Sequence, residues 1–287
     1  MRIRPGFFTK IVFLATIVIT FGVIHLFAQT YNVSTYNILY NTPPEHVNSW
    51  EVRKDKVASI IRFHDIVLWG SQEGEFNQLQ FLRENLGQEY IGIGRDDGET
   101  AGEYSAIFFD PDLFRVVEHG TFWLSNTPDR PSMDWGVNYH RICTWGKFEV
   151  IETGDEFYMY NAHFDHESQE ARENSSRMVL EHIDENTNQG DRVIFLGDLN
   201  AVPGNTAYNM IAEDHRFWDA FDVTQTPPHG PAGTFNGFSF TNIPDRRIDH
   251  IFLTEHFTVI RYGILTDSYG ELRYPSDHFP VLAEIEF

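Results

Sequence analysis

One stretch constrains the fold more than any other. In Arg192-Val193-Ile194-Phe195-Leu196-Gly197-Asp198-Leu199-Asn200 an apolar run stops abruptly at a glycine, and a carboxylate and a carboxamide follow two positions apart. An unbroken apolar run of this kind suits a β-strand covered on both faces, and Gly197 lets the backbone turn or approach another group closely. On an extended segment side chains repeat with period two, which predicts that Asp198 and Asn200 share a side. A carboxylate and an amide so placed can hold a divalent cation, a phosphate or an attacking water. The competing reading is a strand followed by a simple Asx turn, since Asp and Asn are common turn residues.

The same device recurs along the chain. Tyr31 to Leu39 alternates as a β-strand with Asn37 near its end, and Ile66-Val67-Leu68-Trp69 runs through Gly70 to Glu73. Phe157 to Ala162 ends at His163, Asp249 stands beside the run Ile251-Phe252-Leu253, and Ser276-Asp277-His278 precedes a last strand of Val281, Leu282 and Ile285. Helical spacing is predicted over 49–63, with Ser49 as N-cap, and over 75–86, 168–186 and 206–211. Further strands are predicted at 90–95, 104–109, 114–118 and 141–150, with a long aromatic loop over 122–135 that carries Trp123 and Trp135. Helices alternating with buried strands over 287 residues, with no compositional break, predict one α/β domain spanning 29–287.

Residues 1–28 stand apart. Arg2, Arg4 and Lys10 precede an apolar run from Ile11 to Phe27 that ends at Ala28, the layout of a secretory signal peptide. The expected location is periplasmic or extracellular, with 11–27 serving as a membrane anchor if the segment is not cleaved. Its removal takes the formal charge from −21 to −24. Such a surface argues against tight, non-specific binding of duplex DNA, which relies on Lys and Arg. A small phosphorylated substrate, or a short nucleic acid engaged through metal ions, remains compatible. The lone Cys143 precludes an internal disulfide and reads as a small buried hydrophobe.

If the six polar strand ends converge, they assemble four carboxylates (Glu73, Asp198, Asp249, Asp277), two amides (Asn37, Asn200) and two imidazoles (His163, His278). Oxygen donors without thiols indicate a hard cation, Mg²⁺ or Mn²⁺. Such an ion polarises a phosphoryl oxygen and lowers the pKa of bound water, while an imidazole serves as general base or stabilises the transition state. Phosphoester hydrolysis fits this equipment best.

These motifs also resemble the endonuclease/exonuclease/phosphatase superfamily. The matching residues are Tyr36-Asn37-Ile38, Gln72-Glu73, His163, Gly197-Asp198-Leu199-Asn200, Arg247-Ile248-Asp249-His250-Ile251 and Ser276-Asp277-His278-Phe279-Pro280-Val281. The resemblance implies a DNase I-like, four-layered α/β sandwich, with two mixed β-sheets packed face to face and helices outside. It implies metal ligation by Glu73, Asn37 and Asp277, and water activation by Asp198 with Asn200 holding a phosphate oxygen or a second metal. It further implies a His278 polarised by Asp249, and a His163 in contact with the scissile phosphate. Tyr104 and Arg141 resemble positions that bind substrate phosphate. Phe122 to Pro128 resembles a segment of exported bacterial members.

The expected function is therefore an exported, Mg²⁺-dependent phosphoesterase, with phosphodiesters placed ahead of phosphomonoesters. The alternatives are a secreted nuclease, a lipid or inositol headgroup hydrolase for which Trp123 and Trp135 are the sequence hints, and a non-catalytic phospho-ligand binding module.

Overall fold

A computed structural model describes residues 29–242 and 244–287; the expected leader at 1–28 lies outside them. In chain order the elements are β1 (Thr30–Asn37), α1 (Trp50–Phe63), β2 (Ile66–Gln72), α2 (Phe76–Leu86), β3 (Glu89–Ile91), β4 (Ile107–Phe109), β5 (Phe114–Trp123), β6 (Ile142–Val150), β7 (Glu156–His163), α3 (Gln169–Asn186) and β8 (Val193–Asp198). They continue with α4 (Thr206–Ala212), β9 (Phe217–Asp219), α5 (Ala220–Val223), β10 (Asp249–Thr254), β11 (Thr258–Ile264) and β12 (Val281–Glu286). No helix among the described residues is long and apolar enough to cross a membrane.

The strands form two six-stranded sheets, ordered β11-β12-β1-β2-β4-β3 and β5-β6-β7-β8-β10-β9. Each is built around one parallel pair, β1 with β2 and β7 with β8, and the other neighbours are antiparallel. A parallel pair needs a crossover, supplied by α1 in one sheet and α3 in the other. The two crossover units therefore deliver four strand C-termini to one edge of the sandwich. The antiparallel strands β10 and β12 begin at that same edge.

Three apolar layers follow from strand alternation. In β8, Ile194 and Leu196 face the core between the sheets, while Val193 and Phe195 join Val179 and Ile183 of α3 in an outer core. The other outer core packs Val57 and Ile61 of α1 and Leu79 and Leu82 of α2 against Tyr36 and Trp69. The expected four-layered sandwich is the one observed. Near the site the central layer turns polar: the Gln72 amide donates to Asn161 Oδ1 (2.7 Å), and Asn161 donates to Ser71 O (2.9 Å) and Ala106 O (2.8 Å). Gly70 makes this bridge possible, because a Cβ there would lie 2.3 Å from Leu196 Cδ1 and 2.6 Å from Asn161 Cγ.

Several local expectations are corrected. β5 does not stop at 118 but pairs with β6 up to Trp123↔Ile142, so Phe122 and Trp123 belong to a strand and not to the aromatic loop. Only 89–91 and 107–109 of the predicted strands at 90–95 and 104–109 are regular, since the intervening chain closes on itself through Gly94 N to Glu99 O and Asp96 N to Ala101 O. Ser49 occupies the N-cap position of α1 without a side-chain capping bond, whereas Ser168 accepts from Ala171 N and caps α3. The strands β9 and β11 and the short α5 were not anticipated. Cys143 is fully buried, and burial pushes its thiol pKa up, as a structural hydrophobe requires.

Candidate active site

Asp198 is the centre of the constellation. Its neighbours in register across the sheet are His163 on β7 and Asp249 on β10, so three polar residues form one row. Gly197 brings β7 and β8 together just beneath it: its φ of +148° is rare for L-residues, and a Cβ there would sit 2.0 Å from Ala162 O. The close approach is thus to a neighbouring strand.

The Asx turn is present, and it is compatible with a second role for Asp198. Asp198 Oδ1 accepts from Asn200 N at 3.0 Å, which is an Asx turn, while Oδ2 points into the site. There it accepts from Asn37 Nδ2 at 3.0 Å and faces His163 Nε2 at 3.5 Å and His278 Nε2 at 3.7 Å. The turn consumes one oxygen and aims the other. Asn200, however, does not share a side with Asp198 through strand periodicity. The strand ends at Asp198, Asn200 is left-handed (φ 48°), and its amide nitrogen donates to Phe164 O at 3.0 Å, leaving Oδ1 for a ligand.

The opposite sheet supplies the remaining groups. Asn37 Nδ2 also donates to Glu73 Oε1 (2.9 Å), and Asn37 Oδ1 accepts from Leu39 N (3.0 Å). Glu73 lies just past β2 with a left-handed φ of 63°, a conformation that costs a non-glycine residue energy and recurs at functional sites. Its Oε2 accepts from Tyr40 N at 3.3 Å. Ser276 ties the Asp277-His278 turn to β1 by donating to Asn37 O at 2.7 Å. His278 Nδ1 and Asp249 Oδ2 are 2.9 Å apart, a contact made across the two sheets.

Burial and charge set the protonation states. Burial and the nearby Asp249 raise the pKa of Asp198. Burial alone would lower that of His278, but the carboxylates of Asp249 and Asp198 override it and hold the imidazole well above its ordinary value. His163 goes the other way: burial, then the charges of Arg141 and Arg95, lower it well below the usual histidine range. The two imidazoles of the site are therefore driven in opposite directions. Burial and the neighbouring Glu73 raise Asp277.

Beside His163 lies a narrow cleft whose lining includes Arg95, Glu103, Tyr104 and Arg141. Arg141 is buried, with Nε 3.2 Å from Asp165 Oδ2 and a terminal nitrogen 2.8 Å from His166 Nδ1. The Tyr104 hydroxyl donates to Glu99 O at 3.1 Å. Both residues expected at substrate phosphate thus line this cleft. Arg95 and Glu103, the two ends of the polar loop between β3 and β4, do so as well. Trp123 is buried, its indole donating to Arg95 O at 2.8 Å, so it is not an exposed apolar anchor for lipid.

The donor set suits a hard cation. Glu73, Asp277 and Asn37 offer oxygens on one side of the edge, with Glu73 close enough to Asp277 to raise its pKa. Across from them, ligand atoms of Asp198, Asp249 and His278 all lie within 4.8 Å of one another, and Asp249 Oδ1 is buried without a hydrogen-bond partner.

A two-sheet sandwich of this topology, with carboxylates, amides and imidazoles gathered at one edge, defines a phosphoric ester hydrolase of the DNase I-like class. The chain belongs to the Endonuclease/Exonuclease/phosphatase family, whose model matches residues 34–278. Enzymes of this family generally depend on a divalent metal. The fold is shared with an endonuclease/exonuclease/phosphatase family protein from Bacteroides thetaiotaomicron (38% identity, TM-score 0.86, covering 91% of this chain and 98% of that one). It is also shared with a mannosyl-6-phosphatase from Bacteroides thetaiotaomicron VPI-5482 (38% identity, TM-score 0.85, covering 90% and 100%). Among curated proteins, the CCR4-Not complex 3'-5'-exoribonuclease subunit Ccr4 of Emericella nidulans is 24% identical over 334 residues, 85% of this chain and 49% of that protein. The chain therefore spans about half the length of its Ccr4 relatives.

Proposed function

We propose that the protein is an exported, Mg²⁺-dependent phosphoesterase acting on a small phosphorylated substrate. The observation that carries this reading is the chain of contacts from Asp249 through His278 to Asp198 and on through Asn37 to Glu73, which joins the two sheets at one buried edge. Glu73, Asp277 and Asn37 would hold Mg²⁺, or Mn²⁺ in its place. The bound ion supplies charge neutralisation at the phosphoryl oxygens and a more acidic water. Asp198 Oδ2 orients the attacking water and accepts its proton. His278, held by Asp249, places an imidazolium against the charge that develops on phosphorus oxygens, and His163 offers a neutral N–H to the same phosphoryl group. Asn200 Oδ1 and Arg141 complete the ring of groups around it.

The mannosyl-6-phosphatase relative and the −21 formal charge both favour a small substrate over polymeric nucleic acid. Export rests on the layout of residues 1–28. The test is phosphate release from hexose 6-phosphates, with bis-p-nitrophenyl phosphate and an RNA oligonucleotide assayed beside them, in Mg²⁺ and in EDTA. The expected result is Mg²⁺-dependent hydrolysis of the small substrates, abolished by Asp198→Ala and His278→Ala. Activity that survives EDTA and both substitutions refutes the mechanism, and turnover of RNA alone refutes the substrate class.

A further inference from the structure

The apolar packing behind β8 is interrupted by one polar cluster. Asp219 accepts from a terminal nitrogen of Arg247 at 2.6 Å and from the Tyr208 hydroxyl at 2.8 Å, and both ions are buried. Taking such a pair out of water adds little stability by itself, so its placement calls for another reason. The pair stands against His250, which is fully buried. The imidazole Nδ1 lies 3.1 Å from the same Arg247 nitrogen and 3.6 Å from Asp219 Oδ2, and the Tyr208 ring packs with its centre 4.9 Å from that of the imidazole. The other ring nitrogen, Nε2, is 2.8 Å from Ala201 O. A carbonyl oxygen only accepts, so Nε2 carries the proton and donates this hydrogen bond whatever the state of Nδ1. Ala201 directly follows Asn200, and among the described residues no backbone group donates to its carbonyl. The turn up to Asn200, by contrast, is tied three times: Leu199 N to Ile248 O (2.9 Å), Asn200 N to Asp198 Oδ1 (3.0 Å) and Asn200 Nδ2 to Phe164 O (3.0 Å).

We infer that His250 is a positioning residue of the phosphoesterase site: by holding the Ala201 carbonyl it closes the exit of the turn and fixes Asn200, whose Oδ1 is left for a ligand. The inference rests on the phosphoesterase reading and adds to it a residue that touches no reacting atom. Asn200 is left-handed at φ 48°, a conformation that persists when the surrounding structure holds it on both sides. The three bonds before it hold one side, and His250 holds the other. The register of β10 makes this possible. Neighbouring strand residues point to opposite faces, so Asp249 reaches inward to His278, while His250, paired with Gly197, turns outward behind the turn. One strand thus supports both halves of the site. The Arg247–Asp219 pair and the Tyr208 ring keep the imidazole from swinging away from Ala201. A displacement of about 1 Å in a group that contacts the reacting centre costs up to about 100-fold in rate, which sets the scale of the effect.

The test compares wild type with His250→Phe, His250→Gln and His250→Asn, each also combined with Asn200→Ala, in Mg²⁺ on p-nitrophenyl phosphate and bis-p-nitrophenyl phosphate. Hydrogen exchange at the Leu199 and Asn200 amides is followed beside that of β8. Phenylalanine keeps a ring of similar size without a donor, glutamine sets an amide nitrogen near the place of Nε2, and the shorter asparagine stops short of Ala201 O. The Phe and Asn variants are expected to lose about 10- to 100-fold in kcat with KM within about twofold, and Gln to recover to within about fivefold of wild type. With Asn200→Ala already present, the same substitutions should cost less than about threefold more, because the group they position is gone. Exchange at Leu199 and Asn200 should quicken by about tenfold in the Phe and Asn variants while β8 is unchanged. If His250→Phe does not fold, Gln against Asn decides. Equal losses in Gln and Asn, a full further loss on top of Asn200→Ala, or unchanged exchange at the turn overturns the inference, since each shows that the ring serves packing alone. Wild type that hydrolyses neither ester defeats the phosphoesterase reading itself and this inference with it; an active wild type with any of those three outcomes defeats only the latter.

Discussion

Asp249 and His278 sit on different sheets, one opening β10 and the other leading into β12, yet Asp249 Oδ2 and His278 Nδ1 meet at 2.9 Å. Thr234 fixes the carboxylate end of this pair, its hydroxyl accepting from Ile248 N (3.1 Å) and Asp249 N (3.2 Å). The dyad exists only when the sandwich is closed, so in the proposed mechanism it ties catalysis to packing between the sheets.

Asp249→Asn keeps the shape of this contact and removes the charge that holds His278 cationic. It is expected to lower kcat by about 100- to 1,000-fold with little change in KM, as removal of a transition-state interaction does. A comparable loss confined to KM would show that Asp249 acts on binding. The histidine resonance in the NMR spectrum supplies a second readout, with its titration moving to lower pH in the variant.

Arg53 is fully buried on α1 and donates only to carbonyls: Ile38 O at 2.6 Å, Pro275 O at 2.8 Å, Leu39 O at 3.0 Å and Asn48 O at 2.7 Å. It buckles the exit of β1 to the turn that carries Asp277. Arg53→Met should destabilise by about 3 kcal/mol, since it strands several carbonyls, and lower the melting temperature by roughly 10 °C. It should also weaken stabilisation by Mg²⁺, because Asn37 and Asp277 lose their common support. A variant with normal Mg²⁺ stabilisation would show that the buckle does not reach the metal site.

The cation itself is expected to stabilise the folded protein. Saturating Mg²⁺ at about 100 times its dissociation constant adds roughly 2.7 kcal/mol, which EDTA should remove. Glu73→Gln should abolish most of this shift while leaving the metal-free protein at least as stable, because it relieves repulsion with Asp277. Calorimetric scans with and without Mg²⁺ check both statements.

Acid sensitivity should concentrate at Asp219, whose Oδ2 accepts from Arg247 NH1 (2.6 Å) and the Tyr208 hydroxyl (2.8 Å). Burial alone would raise its pKa, but hydrogen bonding and charge from His250 and Arg247 prevail and bring it to about 2. The folded value lies below the unfolded one, so the stabilisation is complete above about pH 4 and is lost as pH falls towards 2. The stability gap between wild type and Asp219→Asn should therefore narrow by about 2 kcal/mol over that interval. Urea denaturation at a series of pH values measures it, and a gap constant with pH would refute the assignment.

The sandwich was legible because its strands are short, buried on both faces and punctuated by polar groups. The alternation of Val193 to Leu196 between two cores is visible in the residues themselves. The convergence of Asn37, Glu73, His163, Asp198, Asp249, Asp277 and His278 was legible for the same reason. What could not be read were interactions whose partners are distant or whose residue types suggest solvent. Arg53 sits among the charges of α1 and looks like one more surface cation, yet its partners lie as far away as Pro275. Gln72 and Asn161 are 89 positions apart and meet only after the sheets close. Asn200 was misplaced because periodicity assumes extended backbone, and the chain turns left-handed just before that assumption would apply.

The direction of β1 has a consequence for attachment. It runs from Thr30 to Asn37, roughly 23 Å at the rise of a strand, and only its far end reaches the reacting groups. Thr30 pairs with Glu286, so both ends of the described chain emerge together at the edge of the sandwich remote from Asp198. Anything joined ahead of β1 or after β12, whether a lipid-embedded segment, a fused partner or a resin, would therefore grip the molecule by its base and leave its mouth turned outward to the solution.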